Sequence, residues 1–543
     1  MKRRRKKSKK KPGIRELGLG ELKAILTRAR STPLGEEDFE KLDAALDTLA
    51  YITDELEKKG VSIKRLRKLL FGASTEKTSR VTGDVGGAAR GGGKAKKKRK
   101  GHGRNGAAAY TGAEKVKVPH ESLKRGDLCP KCHQGKVYPL PDPAVLVRVR
   151  GMAPIQASVY ECDRLRCNGC LEVFTAETPE GVGKEKYDET VPAMVGLLKY
   201  GTGLPFNRLE KLQKGFGIPL PAATQWELVR DAAVSMMPAY AELVRRAAQG
   251  KVLHNDDTTA KILELMKEMK EEAMKEEGGD KRTGLFTTGI VSVIEACRIA
   301  LFFTGRKHAG ENLEKVLAER AEELGPPIQM CDLLSRNTSG DFETIVAGCM
   351  SHSRRRYVDV VENFPDEVRH VLEELKKVYK NDAVTKKKKM TDEERLAFHQ
   401  AKSGPVMENL DEWLTALIKE KKVEPNSGIG EAIDFMQRHW DKLTLFLHVP
   451  GAPLDNNVVE RALKKSIMHR KNSLFYKTQN GARIGDMYMT FIHTSELNGV
   501  DPFDYLVALQ RHADEVSLNP GEWMPWNYQE TLARLAKGPD PPE

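Results

Sequence analysis

The chain has 543 residues, of which 39% are hydrophobic and 31% are charged. That length is too great for one ordinary domain, and the composition is typical of a soluble globular protein. No run of about 18 apolar residues occurs in the sequence, which predicts that nothing spans a membrane. The basic N-terminus lacks a following apolar stretch and so does not resemble a secretory signal, which favours a cytoplasmic location.

The net charge of +13 comes from two segments. Residues 1–12 contain nine Lys or Arg and no acid, and residues 94–100 add six more basic residues. Like-charged runs of this kind stay solvated and attract polyanions through counterion release. They fit either a solubility tail or a nonspecific tether to nucleic acid, and the tether would associate the protein with the nucleoid. We interpret residues 1–13 as a basic disordered tail.

Residues 14–81 are predicted to form a helical domain. Between Phe39 and Leu56, apolar residues recur at three- or four-residue steps, which places them on one helix face. A second helix is predicted to end at Gly72. A small helical bundle and a dimerising or DNA-binding hairpin both fit this pattern. Residues 82–107 are rich in Gly, Ala and Lys with almost nothing to bury, which predicts a linker.

Residues 108–180 carry a pattern typical of a zinc ribbon. Two C-x-x-C pairs, separated by strand-like pieces, supply four thiolates for a tetrahedral Zn²⁺ ion. A closed shell of four ligands indicates a structural site whose ion contributes folding energy. Cys162 is a surplus cysteine that fits two roles, replacing one of these ligands or, as we expect, packing as a small apolar residue. The predicted ligands are Cys129, Cys132, Cys167 and Cys170.

Residues 181–250 are helical in pattern and resemble a helix-turn-helix domain. A first helix is expected to run to about Lys214, Gly217 ends it, and a turn with two prolines leads to a second helix around Trp226. A DNA-reading element and a plain helical hairpin have the same pattern, so both interpretations stay open.

From residue 251 the sequence predicts a mixed α/β sheet. Three β-type runs come first, followed by a helix, a fourth strand, a short helix in DFETIVA and a fifth strand. Charged residues in 266–282 and 381–396 predict loop-like breaks. The predicted core therefore has a first part, a helical insertion, a second part and a C-terminal helical tail, at residues 251–352, 353–450, 451–500 and 501–543.

Three acidic positions stand out as candidate metal ligands. Asp256 and Asp257 interrupt the first predicted strand, and Asp332 ends the fourth. An acid inside an apolar strand is costly unless it is paired or bound to metal. Strand alternation sends Asp256 and Asp257 to opposite faces, and pattern alone does not choose between them.

Glu460 has two interpretations. Asn457 is able to begin a helix in which Glu460 occupies the third position, as in a capping box. The alternative is a third metal ligand, because basic residues that suit contacts with phosphate follow on and beyond the same helix. These basic residues are Arg461, Lys464, Lys465, His469, Arg470 and Lys471.

A series of ordered motifs resembles the insertion-sequence-66 family of bacterial DDE transposases. They include RLRKLLFGASTEK, GHGRNGAAAY, CPKC with RCNGC, HNDDTTAKIL, TGRKHAGENL, QMCDLLSRN and CMSHSRRRY. The match is densest from PLDNNVVERALKKS through DPFDYL, and it ends with WMPWNY. The series covers nearly the whole chain.

The resemblance implies an RNase H-like core in which Asp256, Asp332 and Glu460 hold two Mg²⁺ or Mn²⁺ ions. These ions would support cleavage at the transposon end and transfer of the freed 3′-OH to target DNA. Many relatives read Asp-Glu-Thr where this chain has Asp256-Asp257-Thr258. His352, Arg354 and Arg355 match a family stretch and are assigned a DNA-contact role.

The resemblance also implies terminal inverted repeats and target DNA as partners, a homo-oligomer on DNA and small accessory proteins of the element. Two alternatives remain at this point. One is an inactive or domesticated DNA-binding regulator, and the other is a non-transposing nuclease on the same fold.

Overall fold

The computed structural model describes residues 25, 27–29, 35–43, 122–138, 152–166, 168, 173–182, 185–275 and 284–537. The chain divides into two compact units, Met1–Gly87 and Ala88–Glu543. In the first unit, residues 36–43 are helical. Both basic segments and most of the predicted helical domain lie outside the described residues. Within the described part, no helix is long and apolar enough to cross a bilayer.

A five-stranded mixed sheet forms the centre of the second unit. Three consecutive strands pair antiparallel, and two later strands add in parallel on the other side of the first of them. The order across the sheet is β5-β4-β3-β6-β7. The strands are β3 (Val252–Thr259), β4 (Phe286–Ile294), β5 (Cys297–Gly305), β6 (Ile328–Cys331) and β7 (Ile345–Gly348). A separate hairpin pairs β1 (Arg164–Arg166) with β2 (Val173–Thr175).

Helices pack around this sheet. Before the sheet come α1 (Thr190–Gly196), a π-helical turn (Leu197–Gly201), α2 (Phe206–Gly215) and α3 (Ala222–Ala248). Between strands lie α4 (Leu263–Lys275) and α5 (Ala309–Leu317). After the helices of residues 350–443 come α12 (Asn457–Ser473), α13 (Gln479–Leu497), α14 (Pro502–Arg511), α15 (Ala513–Leu518) and α16 (Tyr528–Lys537).

The hydrophobic core lies between the sheet and these helices. Leu253, Ile290 and Leu301 of the strands are fully buried, as is Phe491 of α13. Burying a side chain of this size contributes about 1.5–3 kcal/mol. Trp523, near the C-terminus, is also buried in this core. The C-terminal helices are therefore part of the folded unit.

The stretch with the helix-turn-helix pattern does contain two helices, α2 and α3. Gly217 lies between them with φ +76°, a left-handed conformation that glycine adopts without strain. However, α3 continues for 27 residues and buries Val229, Met236 and Leu243 in the core. The second helix is thus a core element, and DNA reading by this pair stays a prediction.

Residues 350–443 are helical, as the sequence predicts for most of this stretch. The helices are α6 (Met350–Asp359), α7 (Pro365–Lys388), α8 (Asp392–Lys402), α9 (Gly404–Lys419), α10 (Gly428–Arg438) and α11 (Trp440–Leu443). The predicted break at 381–396 is wrong, because most of it belongs to α7 and α8. Its charges are paired across the two helices, where Arg395 donates to buried Asp382 at 3.0 Å.

Two further predictions of local structure are wrong. Residues 266–282 were expected to be loop-like, but Leu263–Lys275 forms helix α4, and the rest of that stretch, residues 276–282, lies outside the described residues. Its charges stabilise an exposed helix, since Lys267 pairs with Glu271 one turn later and Arg306 holds Glu272 at 2.9 Å. The short helix predicted in DFETIVA does not form, because Ile345–Gly348 pairs with β6 as strand β7.

Candidate active site

The central strand β3 carries adjacent acids whose surroundings differ. Asp257 is 4% exposed, and its Oδ2 lies 2.9 Å from Nδ1 of His308, the residue that precedes α5. Arg336 approaches the other oxygen at 4.0 Å. The Asp257 carboxylate therefore has basic partners within the protein, as expected of an acid with a structural role.

Asp256 has the opposite environment. The pKa of its carboxyl group is raised from 3.8 to about 7, first by burial and next by the negative charge of Asp332. Asp257 and Glu460 act in the same direction, whereas a hydrogen bond from the Asp257 backbone N–H opposes them. Asp256 is thus close enough to Asp332 and Glu460 for their negative charges to raise its pKa, although the three acids come from separate elements.

Asp332 directly follows β6, the parallel neighbour of β3. Leu333 after it has φ +66°, so the chain turns sharply at the strand end. Oδ1 of Asp332 accepts hydrogen bonds at 3.0 Å from the Leu334 backbone N–H and from the side chain of Asn337. Because both donors bind the same oxygen, they fix the orientation of the Asp332 carboxylate.

Glu460 lies in the first turn of α12 but does not cap it. The helix begins at Asn457, which makes Glu460 its fourth residue, and the described structure shows no side-chain cap at this helix start. The capping-box interpretation is therefore wrong. Instead, Glu460 lies 3.6 Å from Nε2 of His352 and 3.9 Å from Arg355, both on α6. Its Oε1 is buried without a hydrogen-bond partner among the described residues.

A buried amide network holds these elements in register, and the sequence reasoning missed it. Asn456 is fully buried and donates to the Asn255 carbonyl at 3.0 Å, and its Oδ1 lies 3.1 Å from Nδ1 of His254. Asn255 in turn donates to the Asn337 carbonyl at 2.6 Å. One chain of hydrogen bonds therefore connects the start of α12, strand β3 and the loop after Asp332. The paired asparagines before Glu460 were the signal in the sequence.

The basic residues after Glu460 all belong to α12. Arg461, Lys464 and Lys471 are exposed. Lys465 pairs with Glu496 at 2.8 Å, and Arg470 donates to Thr258 and Thr259 at the end of β3. His469 is buried and stacks between two tyrosines. The exposed members of the set are thus the ones available to a phosphate backbone.

One predicted zinc knuckle lies within the described residues. Cys129 and Cys132 flank a tight turn in which the Cys129 N–H donates to the Gly135 carbonyl at 2.7 Å. Hydrogen bonds from the backbone N–H groups of Gly135 and Gln134, and from Cys129, lower the pKa of the Cys132 thiol. Such bonds favour the thiolate, the form that binds metal.

The other knuckle falls at the hairpin of β1 and β2. Cys167 and Cys170 lie outside the described residues. Cys162, the surplus cysteine, is a half-buried free thiol. The complete four-cysteine site therefore stays a prediction.

A mixed sheet covered by helices is compatible with the α/β core of a transposase. A model of the Transposase IS66 family matches residues 184–484, which is more than half of the chain. The chain therefore belongs to this family, and the resemblance seen in its motifs is confirmed.

Curated relatives from Sinorhizobium fredii are also similar. Uncharacterized protein y4hP is 28% identical over 364 residues, covering 62% of this chain and 61% of the relative. Uncharacterized protein y4jD is 29% identical over 198 residues, covering 36% of this chain and 38% of the relative. The chain thus matches about three fifths of the first relative's length and less of the second.

Proposed function

We propose that this protein is a DNA transposase with an RNase H-like core, in which Asp256, Asp332 and Glu460 carry the catalytic site. If β3 is counted as the first strand of the sheet and β7 as the fifth, the order across the sheet is 3-2-1-4-5. The first three strands are antiparallel, and the last two add in parallel. The feature that carries the proposal is the position of Asp256, a largely buried acid in the central strand whose pKa is raised to about 7 by burial and then by the charges of Asp332, Asp257 and Glu460. Repelling acids on separate elements are costly unless the site binds cations.

The residues present fit Mg²⁺ or Mn²⁺. The site offers carboxylate oxygens, which these hard cations prefer, and the Oε1 of Glu460 is buried with no hydrogen-bond partner among the described residues. Bound at Asp256, Asp332 and Glu460, two such ions would activate the attacking oxygen and stabilise the leaving oxygen in phosphoryl transfer. Asp257 is left out of this set, since its carboxylate already contacts His308 and lies near Arg336.

The protein's own groups position the site and the DNA. Hydrogen bonds from Asn456 hold the start of α12 against β3, the strand that carries Asp256, and this supports a shared role for Glu460 and Asp256. Cationic side chains on α12 and α6 would bind the phosphates next to the scissile bond, because such contacts fix register without reading sequence. We assign this role to Arg461, Lys464, Lys465, Arg470, Lys471, Arg354 and Arg355, of which the exposed Arg461, Lys464 and Lys471 are the most accessible.

The proposed partners are the terminal inverted repeats of the element and its target DNA. We propose that a zinc ribbon at residues 108–180, helices at 181–250 and the basic segments capture this DNA, and that the remaining units act as catalytic core and insertion. A homo-oligomer would hold both DNA ends, with small accessory proteins assisting. The protein would act on the nucleoid.

The test uses the full chain and linear DNA that contains the gene's own flanks. Asp332→Asn should reduce Mg²⁺-dependent strand cleavage by more than about 100-fold, since a metal supplies several kcal/mol of charge stabilisation. DNA binding should be unchanged. The control is Asp341→Asn, which alters an exposed acid in the same region. Full activity of Asp332→Asn would overturn the site.

The products separate the proposal from its two alternatives. Cleavage followed by joining to a target plasmid is expected of a transposase. Cleavage without joining would indicate a nuclease, and binding without cleavage a regulator.

A further inference from the structure

Three potential metal ligands of different chemistry meet beside the proposed active site. Cys349 immediately precedes α6, His352 lies in its first turn, and Glu460 comes from α12. One ligand atom from each lies within 4.8 Å of the other two. Bonds of about 2.0–2.3 Å place ligands on a tetrahedral zinc ion roughly 3.5 Å apart, so small side-chain shifts would close the site.

The polar atoms of this cluster are only partly satisfied. Nδ1 of His352 and Oε1 of Glu460 are buried without a hydrogen-bond partner among the described residues. The 3.6 Å between Nε2 of His352 and Oε1 of Glu460 is too long for a hydrogen bond. Buried polar atoms in native proteins are normally paired, and an unpaired one calls for an explanation such as a water or ion at that place.

Cys349 is a buried thiol whose pKa is raised by burial to about 12, so it is protonated in the metal-free protein and would bind as a thiolate only when a metal displaces its proton. Its Sγ accepts a hydrogen bond from the Asn456 backbone N–H at 3.2 Å. His352 lies three residues later in the first turn of α6, so both potential ligands come from the start of the same helix.

We propose that Cys349, His352 and Glu460 form a site for one borderline-soft divalent cation of the zinc or cobalt class. Thiolate and imidazole ligands select such ions over Mg²⁺, which prefers oxygen. Three protein ligands leave the fourth tetrahedral position open. Binding releases the Cys349 thiol proton to solvent as the metal–sulfur bond forms.

The site shares Glu460 with the proposed catalytic set, so its occupation would withdraw that carboxylate from Mg²⁺. This consequence rests on the proposed function and predicts that zinc inhibits strand cleavage even in excess Mg²⁺. The metal site itself does not depend on activity.

The test is a Co²⁺ titration of the full chain, followed by thiolate-to-cobalt charge-transfer absorption. In Cys349→Ser, the hydroxyl oxygen can still accept the hydrogen bond from the Asn456 N–H, but a hydroxyl is a poor ligand for a soft metal ion. Cys297→Ser is the control, because it removes a thiol outside the cluster. Removing a group that only hydrogen-bonds to a metal ligand typically weakens metal binding about 10–100-fold. Removing the ligand itself, as in Cys349→Ser, should therefore weaken Co²⁺ binding by at least about 100-fold. Co²⁺ bound by the cysteines of the predicted zinc ribbon would add the same absorption in every variant, so only the difference between variants is interpreted.

We expect the wild type and Cys297→Ser to bind one equivalent of Co²⁺ more than Cys349→Ser. If Cys349→Ser does not fold, His352→Ala is the second variant, because its side chain is a quarter exposed. Equal Co²⁺ binding by wild type and the folded variant would overturn the site. Cys349-dependent binding by a protein without cleavage activity would support the site and refute the proposed function instead.

Discussion

Replacing Asp256 by Asn should stabilise the metal-free protein above pH 7 while abolishing its response to Mg²⁺. The fold raises the pKa of Asp256 from 3.8 to about 7, first by burial and then by the charge of Asp332. Below pH 3.8 the carboxyl group is protonated in both states, so it does not affect stability. Between 3.8 and about 7 the unfolded chain releases the proton while the folded chain keeps it, and stability falls.

The size of the effect follows from that difference. One pKa unit corresponds to about 1.4 kcal/mol, so the ionised form costs the metal-free fold about 4 kcal/mol above pH 7. Asp256→Asn removes this cost, and the gain should grow from near zero at about pH 4 to a few kcal/mol at about pH 8. Asp257→Asn should instead lower stability by about 1–3 kcal/mol, because it weakens the contact with His308.

The measurement is urea unfolding of the full chain in magnesium-free buffer, followed by the fluorescence of tryptophans, including the buried Trp523. Adding Mg²⁺ should raise the unfolding midpoint of the wild type but not that of Asp256→Asn, since only a native-state site stabilises by binding. A pH-independent effect of Asp256→Asn, or an equal gain from Asp257→Asn, would refute the assignment of the two faces of β3.

Three further outcomes are expected. Asn456→Ala should lower the free energy of unfolding by about 1–3 kcal/mol and reduce cleavage, because it breaks the hydrogen bond to Asn255; an unfolding curve and activity equal to wild type would contradict the positioning role. Gly310→Ala should lower thermal stability, since its Cβ would meet the Thr338 carbonyl oxygen at 2.3 Å, whereas Gly305→Ala has open space and serves as the control. Chelation of zinc should increase hydrogen exchange at residues 122–138 and leave β3 protected, and unchanged exchange there would count against the ribbon.

Parts of this fold are predictable because local pattern and tertiary packing agree. Strand β3 follows from its β-branched and apolar residues, and the helices of residues 350–443 follow from their periodicity. The helix at Leu263–Lys275 was missed because a run of Lys and Glu resembles a loop when its partners are unknown. The contact between Arg306 and Glu272, which stabilises that helix, joins distant segments.

The candidate site depends even more on contacts between distant segments, which local sequence does not reveal. Its acids were singled out from the sequence, but the choice between Asp256 and Asp257 depends on which of them meets His308 across the fold. Glu460 was compatible with a capping role until the helix was seen to begin at Asn457. The paired Asn456 and Asn457 hint at the buried network, but its partners on β3 lie some 200 positions earlier and cannot be read from local pattern.

That last separation has a consequence for synthesis of the protein. The hydrogen bond from Asn456 to Asn255 spans 201 residues, with the whole helical insertion translated in between. Contacts of such high sequence separation form late, because a long loop must close before they contribute. A nascent or prematurely terminated chain therefore carries Asp256 and Asp332 without Glu460. Completing the proposed catalytic set therefore requires the ribosome to proceed past the whole helical insertion.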